Sequence, residues 1–172
     1  MNNKKIMNLV FGAMIAAIYA AATYLSATFG IAYGNIQFRL SEALTILSVF
    51  TPAAIPGLTI GCLVFNITFA AALPLDWLVG TLATLVVAAS MRILRHARVK
   101  GYPLLSMLMP ALANSILVGW ELTFYIGGGF WLNALYVAIG EAAVLLTLGS
   151  LMTFMLLTRS FNMPISQISN QI

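Results

Sequence analysis

The sequence carries very little charge. Of its 172 residues only 7% are Asp, Glu, Lys or Arg, against 62% hydrophobic, and the mean hydropathy is +1.00. Soluble domains are about a quarter charged and about half apolar. The composition therefore excludes an ordinary soluble fold and marks an integral, all-α membrane protein. Cysteine is nearly absent. Cys62 stands alone inside an apolar run, which excludes an internal disulfide and a cysteine metal site and leaves a small core residue. The lone histidine, His96, sits in a basic loop away from every acid, which weighs against a lipid-modifying hydrolase or any other enzyme. The lysines are Lys4, Lys5 and Lys100, and none stands in the GxxxxGK-Ser/Thr context of a phosphate-binding ATPase loop. No metal and no cofactor is expected. Active transport would have to borrow its energy. There is no linker, low-complexity run or convincing repeat, so residues 1–172 are read as one domain. Short helices without a clear inverted repeat argue against an autonomous secondary transporter.

What is present in abundance is long apolar runs. A spanning helix needs about 20 apolar residues. The hydropathy pattern predicts helices at about 7–29, 40–51, 56–73, 77–94, 103–125 and 131–157. The first run is too long for a signal core, so it is read as a retained span. The second is short and is bounded by Pro52 and Pro56, where a re-entrant segment and a short helix look alike. The positive-inside rule tests this count. Of the eight Lys and Arg residues, only Arg39 falls on the outer side of a six-span chain. Lys4, Lys5, Arg92, Arg95, Arg98, Lys100 and Arg159 share the other side. That agreement predicts both termini in the cytoplasm, with outer loops near 30–39, 74–76 and 126–130. The net charge of +4 then reflects orientation rather than nucleic-acid binding.

The four acids are Glu42, Asp76, Glu121 and Glu141. On this topology Asp76 lies in an outer loop, Glu42 and Glu121 near outer helix ends, and Glu141 about 15 Å into its span at 1.5 Å per residue. Ionisable groups in a bilayer are costly and face a cavity or a partner. Asn66 adds an amide at similar depth, and Asn133 shares a helix face with Glu141. Arg39 and Glu42, three residues apart, can pair with each other, but Glu121 and Glu141 have no basic partner within their spans. An excess of carboxylates favours a ligand that is cationic or offers several N–H donors, such as a guanine-like edge. Trp77, Trp120, Tyr125 and Trp131 lie near the outer interface. They serve as membrane anchors or, for one or two such as Trp77, as a stacking surface. Gly127-Gly128-Gly129 offers a flexible outer turn and a candidate gate.

Small residues recur every four positions in the first span, as Ala13, Ala17 and Ala21 and again as Gly12, Ala16 and Ala20. Such stripes let helix backbones approach closely in lipid. They serve packing within the bundle or docking of an external partner, and two adjacent stripes are more than one internal contact requires.

The stretch YGNIQFRLSEALTILSVFTPAAIPGLTIGCLVFNI, Tyr33 to Ile67, closely resembles the QueT family, substrate-binding S components of energy-coupling factor transporters. IQFRLSEAL and AAIPGLTIGCL are the most specific segments; ATLVVAASMRIL and GWELTFYIGGGFW are compatible. The resemblance implies a six-helix S-component bundle in a bacterial plasma membrane. It implies a queuosine precursor as ligand: a 7-deazaguanine such as preQ1 or preQ0, or queuine. It also implies as partners a separate transmembrane T subunit and two ABC ATPases, which alone use ATP. Ala13, Ala17 and Ala21, then Ala16 and Ala20, resemble the docking stripe of such subunits. Arg39, Glu42, Asn66, Trp77, Glu121, Asn133 and Glu141 are the substrate-binding candidates. Glu42 or Glu141 would take the guanine edge, and Glu121 an ammonium arm. The alternatives are an S component for another vitamin, or a self-sufficient channel or proton-coupled carrier with Glu141 as its proton site.

Overall fold

In the computed structural model, residues 3–32, 36–69, 72 and 74–161 are described, without side chains for 159–161. Tyr33, Leu73, the side chain of Arg159 and the C-terminal residues beyond Phe161 lie outside that set. The described residues are almost entirely helical. Helix α1 is Asn3–Thr28. Helix α2 is short and composite, a 3-10 stretch Leu40–Ile46 followed by an α-helical turn Leu47–Phe50. Helix α3 is Ala54–Thr68. Helix α4 is Pro74–His96 and helix α5 is Leu104–Tyr125. Helix α6 begins as Phe130–Val144, passes through a π-helical turn Leu145–Gly149 and continues as Ser150–Phe161.

Four of these, α1, α4, α5 and α6, are long and apolar enough to cross a membrane. The other two are shorter apolar helices. At 1.5 Å per residue the 15 residues of α3 reach about 22 Å, less than the ~30 Å hydrocarbon core. The third helix thus stops short of the expected residue 73. Thr68 turns its hydroxyl back onto the carbonyls of Val64 and Phe65 and meets the Tyr24 hydroxyl, and Phe69 then becomes extended. Helix α4 starts earlier than residue 77, because Pro74 has a φ suited to a first helical position. Asp76 therefore occupies the first turn of α4 and is buried, rather than lying in an outer loop. A carboxylate there also meets the positive end of the helix dipole.

Helices α1, α3, α4, α5 and α6 pack neighbour on neighbour in that spatial order, and α2 touches all of them. The short helix is therefore the central plug of the bundle. Glycines make the seams close. A Cβ on Gly57 would lie 2.6 Å from the Gly12 carbonyl oxygen, and one on Gly61 would lie 2.6 Å from that of Ala16. The α5–α6 seam repeats the device, with Gly119 against the backbone of Ala134. Lipid offers no hydrophobic drive between helices, so such close approach supplies the packing.

The bundle has two distinct ends. At one, Arg92 donates from Nη1 to the Val49 carbonyl at 3.0 Å, and Val49, Met91 and Met107 share an apolar cluster with Leu156. The side chains of Lys4, Lys5, Arg92, Arg95, Arg98 and Lys100 belong to this basic end. At the other, loop end, the Leu75 amide donates to the Tyr125 hydroxyl at 3.2 Å. The outer flanks carry exposed Leu78, Ile116, Phe124 and Leu146, which suits lipid contact.

Candidate functional site

The centre of the site is built by α2. Ser26 of α1 accepts a hydrogen bond from the Leu40 amide at 3.0 Å, and the hydroxyls of Thr23 and Ser41 lie 2.7 Å apart. These contacts pin the start of α2 against α1. The tight 3-10 winding then turns Glu42 inward, with its own carbonyl capped by Thr45 at 2.6 Å. Runs of 3-10 helix this long are uncommon and often mark a functional segment.

Glu42 is only 2% exposed. Its Oε1 accepts the Tyr19 hydroxyl at 2.6 Å, whereas its Oε2 is buried with no hydrogen-bond partner. Across the cluster, Asn114 of α5 donates from Nδ2 to Oε1 of Glu141 on α6, also at 2.6 Å. Glu141 Oε2 and Asn114 Oδ1 are likewise buried without partners. Asn114 and Glu141 each stand about eleven residues from the α5–α6 turn, or ~16 Å down at 1.5 Å per residue. Tyr19 lies at a matching depth on α1. Four helices thus deliver Tyr19, Glu42, Asn114 and Glu141 to one mid-depth layer. Both α5 and α6 are irregular one turn further towards the basic end, at Pro110 and at the π-helical turn. Proline removes a backbone donor, and π-helical turns recur at functional sites.

A second polar layer lies nearer the loop end. Glu121 of α5 is 2% exposed and keeps Oε1 without a partner. Asp76 lies beside it, close enough for a side-chain hydrogen bond. Asn66 donates to the Asp76 backbone carbonyl at 2.7 Å, and Asn133 to the Gly127 carbonyl at 2.7 Å and to the Thr123 hydroxyl at 3.1 Å. Arg39 is buried and donates from Nε to the Ala32 carbonyl at 3.2 Å. It lies within Coulombic range of Glu42, Glu121 and Glu141, so one cation serves carboxylates in both layers. Its segment is seated on α6: the Gln37 carbonyl occupies the space that a Cβ on Gly140 would need.

The family described as QueT transporter matches the chain over residues 9–158. The chain belongs to the QueT transporter family. The curated Queuosine precursor transporter QueT of Lactococcus lactis subsp. cremoris (strain MG1363) is 38% identical to it over 86 residues. That match spans half of each chain's length. No solved structure matches the chain.

For this QueT-family chain, the structure brings Glu42 and Glu141 together and sets Glu121 and Asn66 in the layer above them. The amide of Asn133 holds the triple-glycine turn. Trp77 is 46% exposed, next in the chain to the buried Asp76. The two stripes of α1 separate: Gly12 and Ala16 line the α3 seam and Ala20 is half-buried, while Ala13, Ala17 and Ala21 are exposed. Among the described residues no group of acids, histidines and cysteines is arranged to hold a metal ion. Tyr19 and Asn114 were not anticipated from the sequence. Antiparallel register supplies a signal for Asn114, which lies as far before the α5–α6 turn as Glu141 lies after it.

Proposed function

We propose that this chain is the substrate-capture subunit of an energy-coupling factor importer, taking up a queuosine precursor from outside a bacterial cell. The observation that carries this reading is the mid-depth layer. Three buried acceptor atoms, on Glu42, Asn114 and Glu141, make no well-formed hydrogen bond within the protein, although the Asn114 amide also lies close to the Glu42 carboxylate. A buried acceptor left unmatched is costly, so the layer suits a ligand edge rich in N–H groups. A 7-deazaguanine presents such an edge, with a ring N–H beside an exocyclic amine that a carboxylate binds in parallel. The name of the lactococcal relative points to the same ligand class. Glu42 or Glu141 takes that edge, Arg39 orients Glu42 or meets the ring carbonyl, and Glu121, with Asp76 beside it, meets the cationic arm of preQ1. The chain binds and releases; it does no chemistry on its cargo.

In this reading all six helices belong to one S-component bundle, with the basic end and both termini cytoplasmic, as positive-inside asymmetry favours. The energy comes from a T subunit and two ATPases. The exposed Ala13–Ala17–Ala21 stripe supports docking on such a partner, because its neighbouring stripe already fills the α3 seam. Ala17→Leu should leave ligand binding intact and abolish uptake by the reconstituted complex; full uptake would remove the stripe from the docking surface. Calorimetry of the purified chain with preQ1, preQ0, queuine and guanine tests the capture role. Binding of a deazaguanine supports it. No binding by a folded sample breaks the ligand assignment and calls for a screen of other vitamins. A second reading, a proton-coupled carrier, draws on Glu42 and Glu141 lying within Coulombic range of each other. Uptake into liposomes by the chain alone, without ATPases, would favour it.

A further inference from the structure

The mid-depth layer holds one amide side chain, which has no charge of its own. Asn114 is 5% exposed, in the middle of α5. Its Nδ2 is engaged by Glu141 Oε1 at 2.6 Å. That bond fixes the plane of the amide, so its Oδ1 is held in place as an acceptor. The Oδ1 is buried and has no partner, in the same layer as the open oxygens of Glu42 and Glu141. Buried polar atoms in folded proteins nearly always find partners, and this one is presented rigidly.

The chemistry of an exocyclic amine explains what a third acceptor is for. An aromatic amine has two hydrogens, roughly 120° apart. One runs parallel to the adjacent ring N–H, and a single carboxylate takes both, here through its open Oε2 and the second lone pair of the engaged Oε1. The other points away from that carboxylate and needs an acceptor of its own. Two carboxylates alone suit many cations. A carboxylate together with a fixed amide oxygen suits a ring that bears an amine next to an N–H.

We infer that Asn114 is a specificity-determining residue that selects bases bearing an exocyclic amine beside a ring N–H, its Oδ1 accepting the amine hydrogen that the carboxylate leaves unbound. The inference rests on the capture of a deazaguanine proposed above. A base with hydrogen in place of the amine leaves Oδ1 buried and unmatched, which is how polar sites reject analogues lacking a donor.

The test compares preQ1 with its analogue lacking the 2-amino group, by calorimetry on the full chain. Wild type should bind preQ1 at least tens-fold more tightly than the analogue. Asn114→Ala should shrink that ratio by about tenfold, the size of one well-made hydrogen bond, mostly by weakening preQ1. Asn114→Ser, which keeps a polar group too short to reach, should do the same and covers the case in which the alanine variant does not fold. A purely structural role would weaken both ligands alike, so an unchanged ratio in a folded variant overturns the inference. A wild-type ratio near one overturns it too, while leaving the capture of deazaguanines standing. Failure of the folded wild type to bind either ligand overturns both.

Discussion

At mid-depth, Glu42, Asn114 and Glu141 each hold one hydrogen bond and leave one acceptor open. Nearer the loop end, Asn133 and Asn66 use their amide donors to tie down the Gly127 turn and the start of α4. Both layers are polar and buried, and both draw on α5 and α6. Residue type does not separate them. What differs is the use of the amides. At the loop end the Asn66 and Asn133 donors close on the protein's own oxygens, though Glu121 Oε1 and Asn66 Oδ1 stay unmatched there. At mid-depth Glu42, Asn114 and Glu141 each leave an oxygen unmatched. In the proposed site, an amide whose donors are spent on backbone carbonyls serves as scaffold, and an oxygen held without a donor, Glu121 Oε1 included, is open to a guest.

That contrast can be attacked from both sides. The largest effect is expected where the scaffold presses on the binding layer. Gly140→Val would place side-chain atoms where the Gln37 carbonyl sits, displacing the segment that carries Arg39. Overpacking of this kind costs about 1–3 kcal/mol of stability, and preQ1 affinity should fall with it. A Gly140→Val protein with wild-type melting and affinity would show that the seating of residues 36–39 does not matter. Asn133→Ala should have a smaller and purely structural effect. Loss of its bonds to Gly127 and Thr123 should cost about 1 kcal/mol of stability, read as a lower melting temperature. Its preQ1 affinity should stay within about threefold of wild type, or ~0.7 kcal/mol. A tenfold loss of affinity without destabilisation would move Asn133 back into the binding surface.

Much of this arrangement was legible in the sequence because lipid is an unforgiving solvent. Six apolar stretches stand out against 7% charge. The helices begin and end within a few residues of the hydropathy pattern, with α1 starting earlier and α6 ending later than expected and further shifts at the end of α3 and the start of α4. There Thr68 and Pro74 set the boundaries, through a hydroxyl turned onto the backbone and a fixed φ, neither of which hydropathy registers. Glu42 and Glu141 were conspicuous because a carboxylate in an apolar run demands a reason. Tyr19 was not, because a tyrosine costs far less to bury than a carboxylate and barely lowers a hydropathy profile. Asn114 was not, because it is far from Glu141 in the sequence, and only the antiparallel register of α5 and α6 brings the two together. The two small-residue stripes of α1 differ by one position, and only packing against Gly57 and Gly61 decides which of them faces inward. The 3-10 winding of α2 is similarly a product of its surroundings, since it is packed on every side by other helices.

The most direct test of the capture site is the preQ1 affinity of Glu42→Gln beside that of wild type, with the melting temperature of each. The substitution keeps the shape of the side chain and an oxygen for the Tyr19 hydroxyl. It removes the charge and turns one acceptor into a donor. A site built on Glu42 predicts an unchanged melting temperature and affinity weakened by about 1.5–3 kcal/mol, roughly 10- to 150-fold. Unchanged preQ1 affinity in the folded variant would contradict it, and would leave Glu42 as a buried strut rather than the group that receives the ligand.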